Sequence, residues 1–170
     1  MAEGITIKGL DEIAKRLQAL PEKLRRKSIR KALNDGTELV RAEAARLAPS
    51  GGTGAVMMAG HIIGFDGGPK LKDNIVTKVS VGNTEGRAGM SDIDAYARVG
   101  IDYKKVKHGH LVEFGAKPHK IKIKINGKTI TVQHPGAKKQ PFMRPAFDNK
   151  GSDAVNTMTT QLAKAVEEEV

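Results

Sequence analysis

Three closely spaced residues are the first candidates for chemistry: His108, His110 and Glu113, with His119 and His134 further along. Imidazole nitrogens and a carboxylate can hold zinc or a related divalent ion, and a His-x-His pair on a strand would turn both rings to one face. The chain completes no such motif, because it has no His-Glu-x-x-His and no cysteine. The competing reading is a set of surface or interface histidines in a polar turn, and the incomplete motif favours it. Nucleophilic catalysis has less support still. No Gly-x-Ser-x-Gly elbow exists, and Ser50 and Thr53 flank glycines, where a hydroxyl serves as a turn former. The same loop lacks the Gly-Lys-Ser/Thr ending of a phosphate cradle. No pair of carboxylates stands out as an acid/base couple. The residues point to no enzyme, no metal and no cofactor.

The lysines are more numerous. Lys104, Lys105 and Lys107 precede the histidines; Lys117, Lys120, Lys122, Lys124 and Lys128 follow them, and then Lys138 and Lys139. The chain carries a net charge of +10, unevenly spread. Residues 1–50 hold 11 basic and 7 acidic groups, residues 51–100 hold 5 of each, residues 101–150 hold 12 and 3, and residues 151–170 hold 1 and 4. Lysine meets phosphate as a point charge without base-reading geometry. Tyr103, Phe114, Phe142 and Phe147 do not punctuate these runs as stacking platforms. Contact with nucleic acid would therefore be nonspecific and salt-sensitive. A basic surface of this kind can also dock on an acidic neighbouring subunit, or simply face water. The residues alone leave all three open.

The elements that must position these groups follow from periodicity. Leu10, Ile13, Ala14, Leu17 and Leu20 share one helical face. Pro21 suits the first turn of a second helix, expected over about 22–48, with Ile29, Ala32, Leu33, Val40, Ala44 and Leu47 as its apolar stripe. Asn34-Asp35-Gly36 are poor helix formers and could break it, and Pro49 ends it. Residues 74–81 alternate and read as a strand, residues 83–90 as a polar loop, and residues 95–101 as a second strand. The clearest signal is Ile121-Lys122-Ile123-Lys124-Ile125-Asn126-Gly127-Lys128-Thr129-Ile130-Thr131-Val132. Asn-Gly supplies a tight two-residue turn. The register it implies pairs Ile123 with Ile130 and Ile121 with Val132 on one face, and Lys122 with Thr131 and Lys124 with Thr129 on the other. A last helix is expected over about 152–168, with Val155, Met158, Leu162, Ala165 and Val166 on its buried side. Glu167, Glu168 and Glu169 would fray it, lying at the negative end of its dipole.

The predicted class is α+β: N-terminal helices and a C-terminal helix on a small antiparallel sheet, with a projecting hairpin. At 170 residues the chain is expected to form one domain over 1–170, with 39% hydrophobic residues for a modest core. With no Trp, two Tyr and four Phe, that core would gain from burial between subunits. No apolar run is long enough to cross a bilayer, and Met1–Leu10 does not read as a signal peptide. Absence of cysteine fits synthesis in a reducing cytoplasm.

Two motifs remain: His110-Leu111-Val112-Glu113-Phe114-Gly115, and His134-Pro135-Gly136-Ala137-Lys138-Lys139-Gln140-Pro141-Phe142-Met143-Arg144-Pro145-Ala146. With Ile7-Lys8-Gly9-Leu10, Lys31-Ala32-Leu33, Ala48-Pro49 and Thr53-Gly54, they make the chain resemble the gene-product-ten-like family of the HK phage type, siphophage neck and tail-completion proteins. The Glu-Phe-Gly and Pro-Phe-x-Arg-Pro-Ala pieces are the specific part. Residues 55–72, rich in Gly and Met, depart from the family pattern and read as an inserted loop.

The resemblance implies a structural virion protein, made in the bacterial cytoplasm and placed in the neck or upper tail. It implies a homo-oligomeric ring, hexameric by analogy, that meets connector or stopper proteins and the tail tube or terminator, with no membrane partner. A tail terminator ring is the near alternative, and a nonspecific DNA-binding protein using residues 104–139 is the more distant one. Under this reading Lys120, Lys122, Lys124, Lys128, Phe142, Met143 and Arg144 would contact a subunit or partner. Lys104, Lys105, Lys107, Lys138 and Lys139 would face DNA in a lumen. For Phe142, Met143, Pro145 and Phe147 ordinary core packing is the competing reading, and the preferred one.

Overall fold

Two long amphipathic segments make the frame. In a computed structural model, which describes residues 10–49, 56–58, 61–63, 70–82, 94–125 and 128–168, helix α1 spans Leu10–Ala19 and α2 spans Glu22–Leu47. The final helix α4 spans Met143–Glu167 and packs antiparallel along α2. Short strands β1 (Val56–Met58) and β2 (His61–Ile63) pair with each other. A 3-10 turn at Leu71–Asn74 leads into β3 (Ile75–Gly82), which pairs with β4 (Asp94–Ile101). Helix α3 is short, Gly109–Phe114, and β5 (His119–Ile125) and β6 (Lys128–His134) form the last pair. The fold is α+β, and among the described residues its strands form three separate two-stranded antiparallel ladders.

Helix α2 does not break at Asn34-Asp35-Gly36; it runs through them. Gly36 is buried where α2 meets α4. A Cβ built there would lie 2.5 Å from Met158 Cε and 2.7 Å from the Ala154 carbonyl oxygen. Close helix contact repays the weak helix propensity of glycine, so a local breaker signal is overridden by packing. Gly36→Ala should therefore destabilise the protein by about 1–2 kcal/mol, despite its better propensity, because the Ala154 backbone cannot move aside as a side chain can. A shift of the urea midpoint to higher concentration in that variant would contradict this.

Helix α4 begins nine residues before the expected Ser152. Pro145 lies in its first turn, where a missing N–H costs nothing. Gly151 is buried, with a Cβ position 3.5 Å from the Phe147 ring. Glu43 ties the two long helices together. The Asn149 amide donates to its carboxylate at 3.0 Å and Arg46 Nε at 2.8 Å, and these partners hold its carboxyl down at about 2, with the Arg46 guanidinium the larger cause.

Ladder β3–β4 packs on α2. Ile75 and Val81 are buried while Val76 and Lys78 are exposed, the alternation expected of a half-buried strand. The core cluster joins Ala44, Ala48, Leu71, Ile75, Val106, Phe142 and Ala146. Most of these residues are small; Phe142 and Val106 are the largest fully buried side chains among the described residues. The expected loop over residues 83–90 and the Asn126-Gly127 turn lie outside the described residues. Within the expected insertion at 55–72, the described part includes the β1–β2 pair and the start of the 3-10 turn.

Candidate assembly interface

The β5–β6 ribbon is an arm. Its register is the expected one: Ile121 faces Val132, Lys122 faces Thr131, Ile123 faces Ile130 and Lys124 faces Thr129. The register sets Ile121, Ile123, Ile130 and Val132 on one face, where Ile130 is 43% exposed and Ile121 half-buried. Lys120 and Lys122 are exposed on the other face, with Thr129, Thr131 and Gln133. For Lys124 and Lys128 only the backbone is described, and the register puts Lys124 on that same polar face. From Phe114 to Phe147 the sequence has eight Lys or Arg and no Asp or Glu.

The base of the arm is a latch built from the two sequence motifs. The Ala116 and Ala137 backbones exchange hydrogen bonds of 2.9 Å in both directions. Gly115 and Gly136 have φ of 76° and 85°. A Cβ on Gly136 would fall 2.3 Å from the Ala116 carbonyl oxygen, so glycine is required both for conformation and for approach. The Gln140 N–H donates to the Val112 carbonyl at 2.7 Å.

Glu113 then closes the latch. Its carboxylate accepts the backbone N–H groups of Phe142 at 2.7 Å, Met143 at 3.0 Å and Arg144 at 3.2 Å. These are the otherwise unpartnered donors at the start of α4, and Phe142, the N-cap residue, has no capping side chain of its own. A carboxylate there also faces the positive end of the helix dipole. Glu113 thus does from a distance what an N-cap side chain usually does locally. The Phe142 ring beneath is wholly buried.

Phe142 is wholly buried in the core of its own subunit, and Met143 packs against the same core. Arg144 is exposed and its guanidinium pairs with Asp148 at 3.2 Å. Phe147 is 59% exposed at the rim of an apolar groove of about 350 Å³, lined also by Leu33, Val40, Val99 and Met158. Lys104, Lys105 and Lys107 project from the turn after β4, and Lys138 and Lys139 from the strand-like segment leading to α4; all five are exposed.

His108 and His110 lie at the start of helix α3, not on a strand. His110 is exposed, with its ring centroid 6.0 Å from that of Tyr103, whereas Glu113 turns inward to α4. Among the described residues no group of three or more His, Asp or Glu side chains could hold a metal ion. In the sequence Glu113 stands as a possible metal ligand and as part of the Glu-Phe-Gly piece. Its capping role had one available signal: the helix that opens at Met143 offers no capping side chain, so its first amides needed a distant acceptor.

A sequence model described as "Bacteriophage HK97-gp10, putative tail-component" matches residues 11–115. The match includes the Glu-Phe-Gly piece and ends at Gly115, where the arm begins. No curated protein and no solved structure matches the chain.

Proposed function

Because the chain belongs to the HK97-gp10-like family of bacteriophage tail components, we propose that it is a ring-forming neck or tail-completion subunit acting where head and tail join. It is a structural component of a phage tail, and virion proteins are its partners. The finer reading takes residues 1–170 as one domain and the arm as the assembly element. One observation carries it. A ribbon with an apolar face, on which Ile130 is exposed, and a lysine face is fixed at its base by the Glu113 latch. A small core of mostly alanine and valine gains from burial between copies, and a closed ring covers the free strand edges. Exposed Lys104, Lys105, Lys107, Lys138 and Lys139 near the arm's base suit a lumen that DNA crosses, or an acidic face on a connector, stopper, tube or terminator protein. In this reading the protein is not an enzyme, is made in the host cytoplasm, and reaches the virion by assembly.

The test is complementation of a phage lacking the gene. Changing Lys120 and Lys122 to Gln together with Ile130→Ser should leave the fold intact and cut infectious titre by roughly 100-fold or more, with unjoined heads and tails seen by electron microscopy. Normal virions from that variant would refute the role of the arm. Steep, salt-sensitive DNA binding by a protein that stays monomeric would instead support the nucleic-acid reading.

A further inference from the structure

Charge is segregated along α4. Its first turn lies beside the lysine-rich arm; its last turn, about 37 Å away at 1.5 Å per residue, carries Glu167 and Glu168. Both are exposed, and neither has an ion-pair partner among the described residues. Residues 151–170 are the one net-acidic stretch of the four, with 1 basic and 4 acidic groups. Carboxylates at the negative end of a helix dipole are locally unfavourable, and a cation arriving from outside would reverse that sign.

Between this last turn and α1 runs a groove of about 250 Å³. Ile13, Ala163 and Val166 line it together with Glu12, Arg16 and Glu167, and Arg16 is paired to Glu12 at 2.6 Å. The arm has the matching chemistry, apolar on one face and cationic on the other. We propose that the arm of one copy lies in the α1–α4 groove of a second copy, isoleucine face inward, with Lys120 and Lys122 reaching Glu167 at the groove rim and Glu168 just beyond it at the end of the helix. A two-stranded ribbon is about 10 Å wide, so lysine stems extend round its edge to the rim. The other flank of α4 is less favourable, because the cleft towards α2 sets Lys27, Lys31 and Lys164 around the single carboxylate of Glu168. Donor and acceptor surfaces sit at opposite ends of the molecule. The contact is therefore heterologous, propagates head to tail, and closes into a ring where the rotation allows.

This inference rests on the self-assembly read under Proposed function, and sedimentation velocity of the full chain separates the two. Lys120→Glu with Lys122→Glu should weaken self-association roughly 100-fold, and Glu167→Lys with Glu168→Lys should do the same. Mixing the two variants should restore assembly, because each then offers the other a surface of opposite charge. The Glu→Lys pair places cations at the helix C-terminus, which stabilises α4, so its loss of assembly is not a loss of fold. If the Glu→Lys pair assembles like the unaltered chain while the arm variant does not, the groove assignment is overturned and the assembly role of the arm stands. A monomeric unaltered chain, or no effect from either pair, overturns both.

Discussion

Glu113→Ala should be among the most destabilising single changes in this protein, lowering stability by about 3 kcal/mol or more. The carboxylate is buried and accepts three backbone N–H groups from Phe142, Met143 and Arg144. Hydrogen bonds to a charged acceptor contribute about 1.5–3 kcal/mol each, with strong non-additivity among three that share one group. Alanine removes the acceptor and leaves these amides in a site that water reaches poorly. For a domain of this size the loss should lower the thermal midpoint by roughly 6–12 °C. Glu113→Gln keeps the shape and one carbonyl acceptor but not the charge, so its loss should be about half as large. Amide exchange should quicken first at the start of α4. Equal stability of the alanine variant and the unaltered chain in urea would show that the cap is not what holds this helix end.

Phe142→Ala should cost a similar amount, about 3–5 kcal/mol, by a different route. The ring is wholly buried in a core whose other members are mostly Ala, Val, Ile and Leu. Neighbours that small cannot fold inward to fill the void, so the cavity penalty adds to the lost transfer energy. Its backbone N–H still reaches Glu113, which separates the packing term from the capping term. Phe142→Leu should recover most of the loss, leaving about 1–2 kcal/mol. Because both residues act on one turn of α4, the Glu113–Phe142 double variant should fall short of additivity. A cost below about 1 kcal/mol for Phe142→Ala, read from urea midpoints at constant slope, would place the ring outside the load it is assigned here.

The sequence was legible where two local signals agreed. The β5–β6 register could be written down because the Asn-Gly turn and the two-residue alternation demand the same pairing, and the described pairs follow it from Ile121–Val132 to Lys124–Thr129. The helical stripe of α2 was equally plain. Legibility failed where a non-local contact outweighed a local preference. Gly36 reads as a breaker until Met158 and Ala154 are placed against it. Pro145 and Gly151 hide the first third of α4 because their usual meaning is punctuation, while a first-turn proline and a glycine packed under Phe147 are both compatible with helix. Glu113 was visible as a carboxylate near histidines. Its partner amides lie 29 to 31 residues away, a separation that no periodicity encodes.

That separation also orders events in time. Before the ribbon zips, joining residue 113 to residue 142 closes a loop of about 29 residues; with β5 and β6 already paired, only about a dozen unpaired residues remain to be constrained. The saving in chain entropy is about 1 kcal/mol. A local hairpin forms within microseconds, ahead of most long-range docking. A ribbon paired early would thus act as a splint, drawing the two halves of the latch together and making the first turn of α4 easier to close.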